Sequence, residues 1–156
     1  MSMKRKDYLT KVNKLIEQEK YKDTEALLFK IIKSYEDPLL YYYLGLAQVK
    51  LNKVQLGVDN LWRSISLDID STYKHPRNLL AELYIKENEL SLAEKFLRES
   101  IVIDKNINTY LTLIEVLISL EKKEEAKKFI ESIKIEFSNN LDSKKLTSLE
   151  KKISSI

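Results

Sequence analysis

Residues 80–100 read Leu80-Ala81-Glu82-Leu83-Tyr84-Ile85-Lys86-Glu87-Asn88-Glu89-Leu90-Ser91-Leu92-Ala93-Glu94-Lys95-Phe96-Leu97-Arg98-Glu99-Ser100. Two small residues, Ala81 and Ala93, stand on either side of a short polar link at Glu87-Asn88. Apolar residues recur at spacings of three and four before and after the link, the period of a helix that buries one stripe. The reading is an antiparallel pair of helices that nest closely because one side chain per crossing is nearly absent. Asn88 suits the link, since Asn tolerates the left-handed conformation that ends a helix.

Working outward, the pattern occurs four times in all. Thr24, Gly57, Ala93 and Ala126 hold the small-residue place, at separations of 33, 36 and 33 residues. Four places later come Leu28, Leu61, Leu97 and Ile130, and seven places later Ile31, Ser64, Ser100 and Ile133. Val12, Gly45, Ala81 and Ile114 stand on the paired helix, with Tyr8, Tyr41, Arg77 and Tyr110 one turn before them. Asn52 sits at the second link as Asn88 does at the third. Pro38 and Pro76 open first helices, where a missing N–H is harmless, and Asp37 is a candidate N-cap. A single hairpin leaves one apolar face uncovered, so stability requires stacking. After the fourth hairpin, Asp142 is a candidate N-cap for a helix with Leu146, Leu149, Ile153 and Ile156 on one side. Such a helix closes the last raw face or docks into a partner. The expected organisation is a basic N-terminal tail (1–4), hairpins at about 5–36, 38–70, 74–106 and 107–139, and a capping helix (141–156).

Composition agrees with an all-α class. Two Gly and two Pro in 156 residues are too few for an all-β fold or a glycine-rich phosphate loop. With no Cys and one His, disulfides, thiolate chemistry and an imidazole metal cluster are excluded, so neither metal nor cofactor is expected. The net charge of +3 equals what Lys4, Arg5 and Lys6 supply, and the remainder is balanced. The 27 basic residues include only four Arg, the residue suited to bidentate phosphate contacts, so nucleic acid is not an expected partner. No apolar stretch follows the basic start as a signal peptide requires, and no run is long enough to span a bilayer; the default location is the cytoplasm.

The segment Tyr41-Tyr42-Tyr43-Leu44-Gly45-Leu46-Ala47, with Asn52, Gly57, Leu61 and Ser64, resembles a tetratricopeptide repeat (TPR). Leu80-Ala81-Glu82-Leu83-Tyr84, with Asn88, Leu90, Ala93, Leu97 and Ser100, is a closer match, and Leu113 to Ile133 is a third. Residues 5–36 form a degenerate copy, with Lys11-Val12 where the family favours Leu-Gly. The family's Trp near the repeat start and Pro near its end are mostly missing. The resemblance covers nearly the whole chain and implies an α-α superhelix, a TPR-like solenoid of about four repeats with a C-terminal cap.

In such a solenoid the first helix of each repeat lines a concave groove. The resemblance then assigns to a partner-binding groove Asn13 and Glu17; Tyr42, Tyr43, Leu46 and Lys50; Asn78, Glu82 and Lys86; and Leu111 and Glu115. Leu79, Thr112 and Ser119 occupy corresponding places. Helix 38–51 is apolar around nearly its whole circumference, so it is buried on every side or exposes surface for a partner. Tyr offers contact area with few rotors to freeze. Against this, Tyr41 and Tyr43 can pack between hairpins and leave Tyr42 alone on the groove. The two-carboxylate clamp by which some family members grip chaperone C-termini is absent, only Asn13 fitting its pattern. Around Ser64, Ser66 and Ser100 no nucleophile pattern exists, and His75 stands alone beside Pro76, so catalysis is not expected. Trp62 belongs to the core or the convex surface.

The expected function is a non-catalytic module that binds a protein or peptide segment in its groove, acting as an adaptor or scaffold. The alternatives are a small TPR chaperone for secreted or translocator proteins, whose usual acidic balance is missing here, and a structural subunit using its convex face and last helix. Oligomeric state is left open.

Overall fold

The computed structural model describes residues 4–139 and 141–156; Met1–Met3 of the basic tail and Asn140 lie outside the described residues. Among the described residues there are nine helices: α1 (Arg5–Glu17), α2 (Tyr21–Ile31), α3 (Pro38–Lys50), α4 (Val54–Leu67), α5 (His75–Lys86), α6 (Leu90–Ile103), α7 (Ile107–Ser119), α8 (Lys123–Glu136) and α9 (Ser143–Ser154). None of these is long and apolar enough to cross a membrane. The chain forms two compact units, Met1–Pro76 and Arg77–Ile156.

The helix links share one hydrogen-bond pattern. Asn52 N–H donates to Val49 O (3.0 Å) and Lys53 N–H to Gln48 O (2.8 Å); Asn88 and Glu89 repeat this to Ile85 O (3.1 Å) and Tyr84 O (2.8 Å). Glu19 and Lys20 do the same at the first link, Glu121 and Lys122 at the fourth. This six-to-one and five-to-two pairing satisfies the last carbonyls of the first helix and requires a left-handed residue. Asn52 and Asn88 adopt it at φ 61° and 60°, as their residue type suggests. Glu19 and Glu121 adopt it too, at φ 54° and 57°, because the link geometry overrides their preference.

In the first unit, α1 and α2 enclose Val12, Leu28 and Ile31 with Leu40 and Leu44 of α3. Where α3 crosses α4 the backbones touch. A Cβ on Gly45 would meet Gly57 O at 2.9 Å, and one on Gly57 would meet Val49 Cγ2 at 2.6 Å. Asp37 caps α3 by accepting from Leu39 N–H (2.9 Å) and also pairs with Arg5. Ser64, fully buried, donates to Pro38 O at 2.6 Å. Asp68 is buried and accepts from Thr72 and Tyr73 N–H (2.8 and 3.0 Å), which holds the chain after α4.

In the second unit larger residues hold the places that Gly45 and Gly57 hold in the first. Ala81 and Ala93 are fully buried, as are Ile114 and Ala126. Tyr84 stacks on Phe96 (5.9 Å, 6°), and Arg77 reaches Glu99 (3.1 Å). Asn106 caps α7 as Asp37 caps α3, accepting from Asn108 N–H (2.9 Å). Asp142 caps α9 through Lys144 N–H (2.9 Å) and Lys145 N–H (3.4 Å). Leu149 and Ile153 of α9 are buried where it packs on α7 and α8, so the one-sided helix does cover the last apolar face.

Candidate partner-binding faces

A spacing of four puts Tyr42, Leu46 and Lys50 in one row along α3. Lys50 is exposed, while Tyr42 and Leu46 are partly exposed. Asn13 and Glu17, one turn apart on α1, are both exposed. Tyr43 lies differently. It packs against the Val12–Leu44 core cluster, its ring 5.1 Å from that of Tyr42, and burial pushes its hydroxyl pKa above the ordinary tyrosine value. The His75 ring lies 5.8 Å from Tyr42. Partial burial, and then the charge of Lys74, push the His75 pKa below its ordinary value, so the neutral imidazole is favoured. His75 occupies one of the places of the carboxylate clamp that this chain lacks, and its contact is with an aromatic ring instead.

In the second unit Asn78, Glu82 and Lys86 form the matching row on α5. Glu82 and Lys86 are exposed; Asn78 is partly buried, and its Oδ1 is a buried acceptor without a partner among the described residues. Leu111 is buried, at 8% exposed, and offers a partner little surface. The reason is that α7 is apolar on most sides, so its periodicity does not single out an open face. Glu115 is exposed, with Lys145 of α9 at 4.0 Å.

Beside this row is a cleft of about 400 Å³ whose floor is Ile85, Leu90, Val116 and Ile118. Its rim is Thr112, Glu115, Ser119 and Lys152. The two hydroxyls donate back to their own helix, at Asn108 O (2.9 Å) and Glu115 O (3.1 Å), so their lone pairs remain as acceptors. The repeat register aligns Thr112, Glu115 and Ser119 with Tyr43, Leu46 and Lys50 of α3. The first unit therefore offers an aromatic and apolar face, the second a hollow with a charged rim.

Two polar clusters tie second helices to the following hairpin, and the sequence reading missed both. In the first unit Glu25 accepts from Gln48 Nε2 (3.2 Å) and Lys53 Nζ (2.6 Å), while Asn60 Nδ2 donates to Gln48 Oε1 (2.7 Å). In the second, Glu94 accepts from Lys122 Nζ (2.7 Å) and Arg98 Nε (2.9 Å), and Arg98 also pairs with Glu125 and lies over the Phe129 ring (5.3 Å). Burial works against the Glu94 charge, but the bonds from Lys122 and Arg98 outweigh it and lower its pKa. Glu25 and Glu94 follow small-residue places, and Lys53 and Lys122 are the second residues of their link motifs. The signal was thus in the repeat register, read for apolar places only. Among the described residues no group of three or more His, Cys, Asp or Glu side chains is gathered for a metal ion.

No family model matches the chain, and neither does any curated protein. Solved structures do match. A crystal structure of MamA superposes with a TM-score of 0.69 at 20% identity, over 96% of this chain and 80% of that one. A MamA double mutant gives 0.70 at 13% identity, over 99% and 96%. A Podosopora anserina protein of nearly identical TPR-like repeats gives 0.66 at 12% identity, over 96% and 93%. These likenesses establish the fold: an all-α, TPR-like helical repeat.

Proposed function

We propose that the chain is a non-catalytic protein-interaction module, an adaptor or scaffold that takes a segment of a partner protein on the open faces of its first helices. The observation that carries this reading is the α3 row in the first unit, where the large side chains of Tyr42 and Leu46 remain partly exposed beside the exposed Lys50. A pre-ordered helical face leaves most of the ordering cost to the incoming segment. Tyrosine beside an aliphatic residue is the kind of pair that supplies contact energy at interfaces. Asn13, Glu17, Tyr42, Leu46 and Lys50 are the contact residues on the first unit, with Tyr43 supporting Tyr42 from behind. On the second unit they are Asn78, Glu82, Lys86 and Glu115.

The test is affinity capture from the source cell with the whole chain and with Tyr42→Ala/Leu46→Ala. The double variant is expected to lose its specific partner, a drop of at least about 2 kcal/mol, while circular dichroism is unchanged. Retained capture overturns the assignment to α3. A second reading has its own observation: Phe29, Leu56 and Trp62 on α2 and α4 are 46%, 52% and 40% exposed. They favour a structural subunit that docks by its second helices, and loss of the partner on Phe29→Ser/Leu56→Ser instead would select it.

A further inference from the structure

Helix α9 does more than cap. Lys145 and Lys152, seven residues apart, share the flank turned to α7: Lys152 rims the cleft and Lys145 Nζ lies 4.0 Å from Glu115. Lys144 and Lys151, also seven apart, lie next round the helix and are exposed. The helix's one acid, Glu150, sits on the opposite flank and is held by Lys134 at 2.9 Å. One half of α9 therefore carries four lysines and no carboxylate, and Glu115 is the acid that faces it. Apart from the Lys145–Glu115 approach, the side chains of Lys144, Lys151 and Lys152 form no ion pair among the described residues.

Resting on the interaction-module reading, we infer that the α7–α9 cleft and the lysine half of α9 receive an acidic, extended segment of a partner protein that carries one apolar side chain. The cleft floor of Ile85, Leu90, Val116 and Ile118 takes the apolar side chain. The lysines take the carboxylates and orient the segment, with Thr112 and Ser119 oxygens open to its backbone N–H groups. Leu149 and Ile153 are buried in the core, so α9 has no apolar face with which to enter a lipid surface. Four lysines without an arginine suit carboxylates better than the forked contacts nucleic acid uses.

Fluorescence anisotropy with the whole chain tests this. The probe is a labelled dodecapeptide of Glu and Asp with one central Phe, compared with a peptide of Lys in place of the acids and one with Ser in place of Phe. The acidic Phe peptide binds best, and its affinity falls as salt rises. Lys144→Glu/Lys151→Glu/Lys152→Glu weakens it at least about tenfold, because all three charges reverse at once. Ser119→Trp, which fills the cleft, abolishes the preference for Phe over Ser. Equal binding of acidic and basic peptides, an unaffected lysine variant, or binding only to phosphatidylserine vesicles overturns the inference. Failure here with Tyr42/Leu46-dependent capture intact removes this site alone; failure of that capture with peptide binding intact removes only the α3 assignment.

Discussion

Glu121 is a good helix former placed where the chain must turn left-handed. Its φ of 57° costs an L-residue about 1 kcal/mol, a cost that Gly escapes and Asn reduces. The conformation persists because it brings Lys122 N–H to Leu117 O at 2.9 Å and so seats the lysine that bonds Glu94. Glu121→Gly is expected to raise stability by about 0.5–1 kcal/mol in urea denaturation, the relieved strain outweighing the flexibility added to the unfolded chain. Asn52, already suited to its place, is expected to gain less from the same change. Gly45 and Gly57 show the opposite constraint. Their φ values are unexceptional, and what excludes a side chain is the facing helix backbone 2.9 Å from any Cβ.

Between helices, a few buried charges do the joining. Glu94 of α6 is 7% exposed and holds Lys122 before α8, and Arg98 extends the contact to Glu125. Because the folded pKa of Glu94 is lowered, the folded state binds fewer protons there than the unfolded chain. The stabilisation is complete above the ordinary glutamate pKa and is lost as pH falls through the lowered folded value. Glu94→Gln is expected to cost about 1–3 kcal/mol at neutral pH and to flatten the acid limb of a stability-against-pH curve. An acid limb as steep as the native protein's would show that other carboxylates carry it. The Glu25–Gln48–Asn60 cluster plays the corresponding part in the first unit, with amide groups sharing the work of charges.

Each unit pairs two hairpins around the same devices: an Asp or Asn cap at the second hairpin, a buried glutamate and a link lysine. The second unit adds α9. Removing residues 142–156 exposes the surface that Leu149 and Ile153 cover and deletes Lys145 and Lys152 from beside Glu115. A net loss of about 1–3 kcal/mol is expected once the ordering cost of α9 itself is released. Hydrogen exchange should show it as faster opening of α7 and α8, with α1 to α3 protected as before. Uniform acceleration through both units would mean that α9 stabilises the chain in some other way.

Helix class, repeat length, the Ala81–Ala93 crossing, the Asp37 and Asp142 caps and the two Asn links were legible in the amino-acid order, because each is a local preference or a period in apolar residues. The row Tyr42, Leu46, Lys50 was legible too, as a face of α3. Which first-helix side chains stay open was not: Tyr43 packs against the core and His75 comes beside Tyr42 in the first unit, and Leu111 is buried in the second, since periodicity places a side chain on a face without saying what covers that face. The cleft beside Glu115 and the bonds of the Glu94 cluster were decided by tertiary structure. They depend on distances between segments tens of residues apart, which become defined only when the hairpins pack.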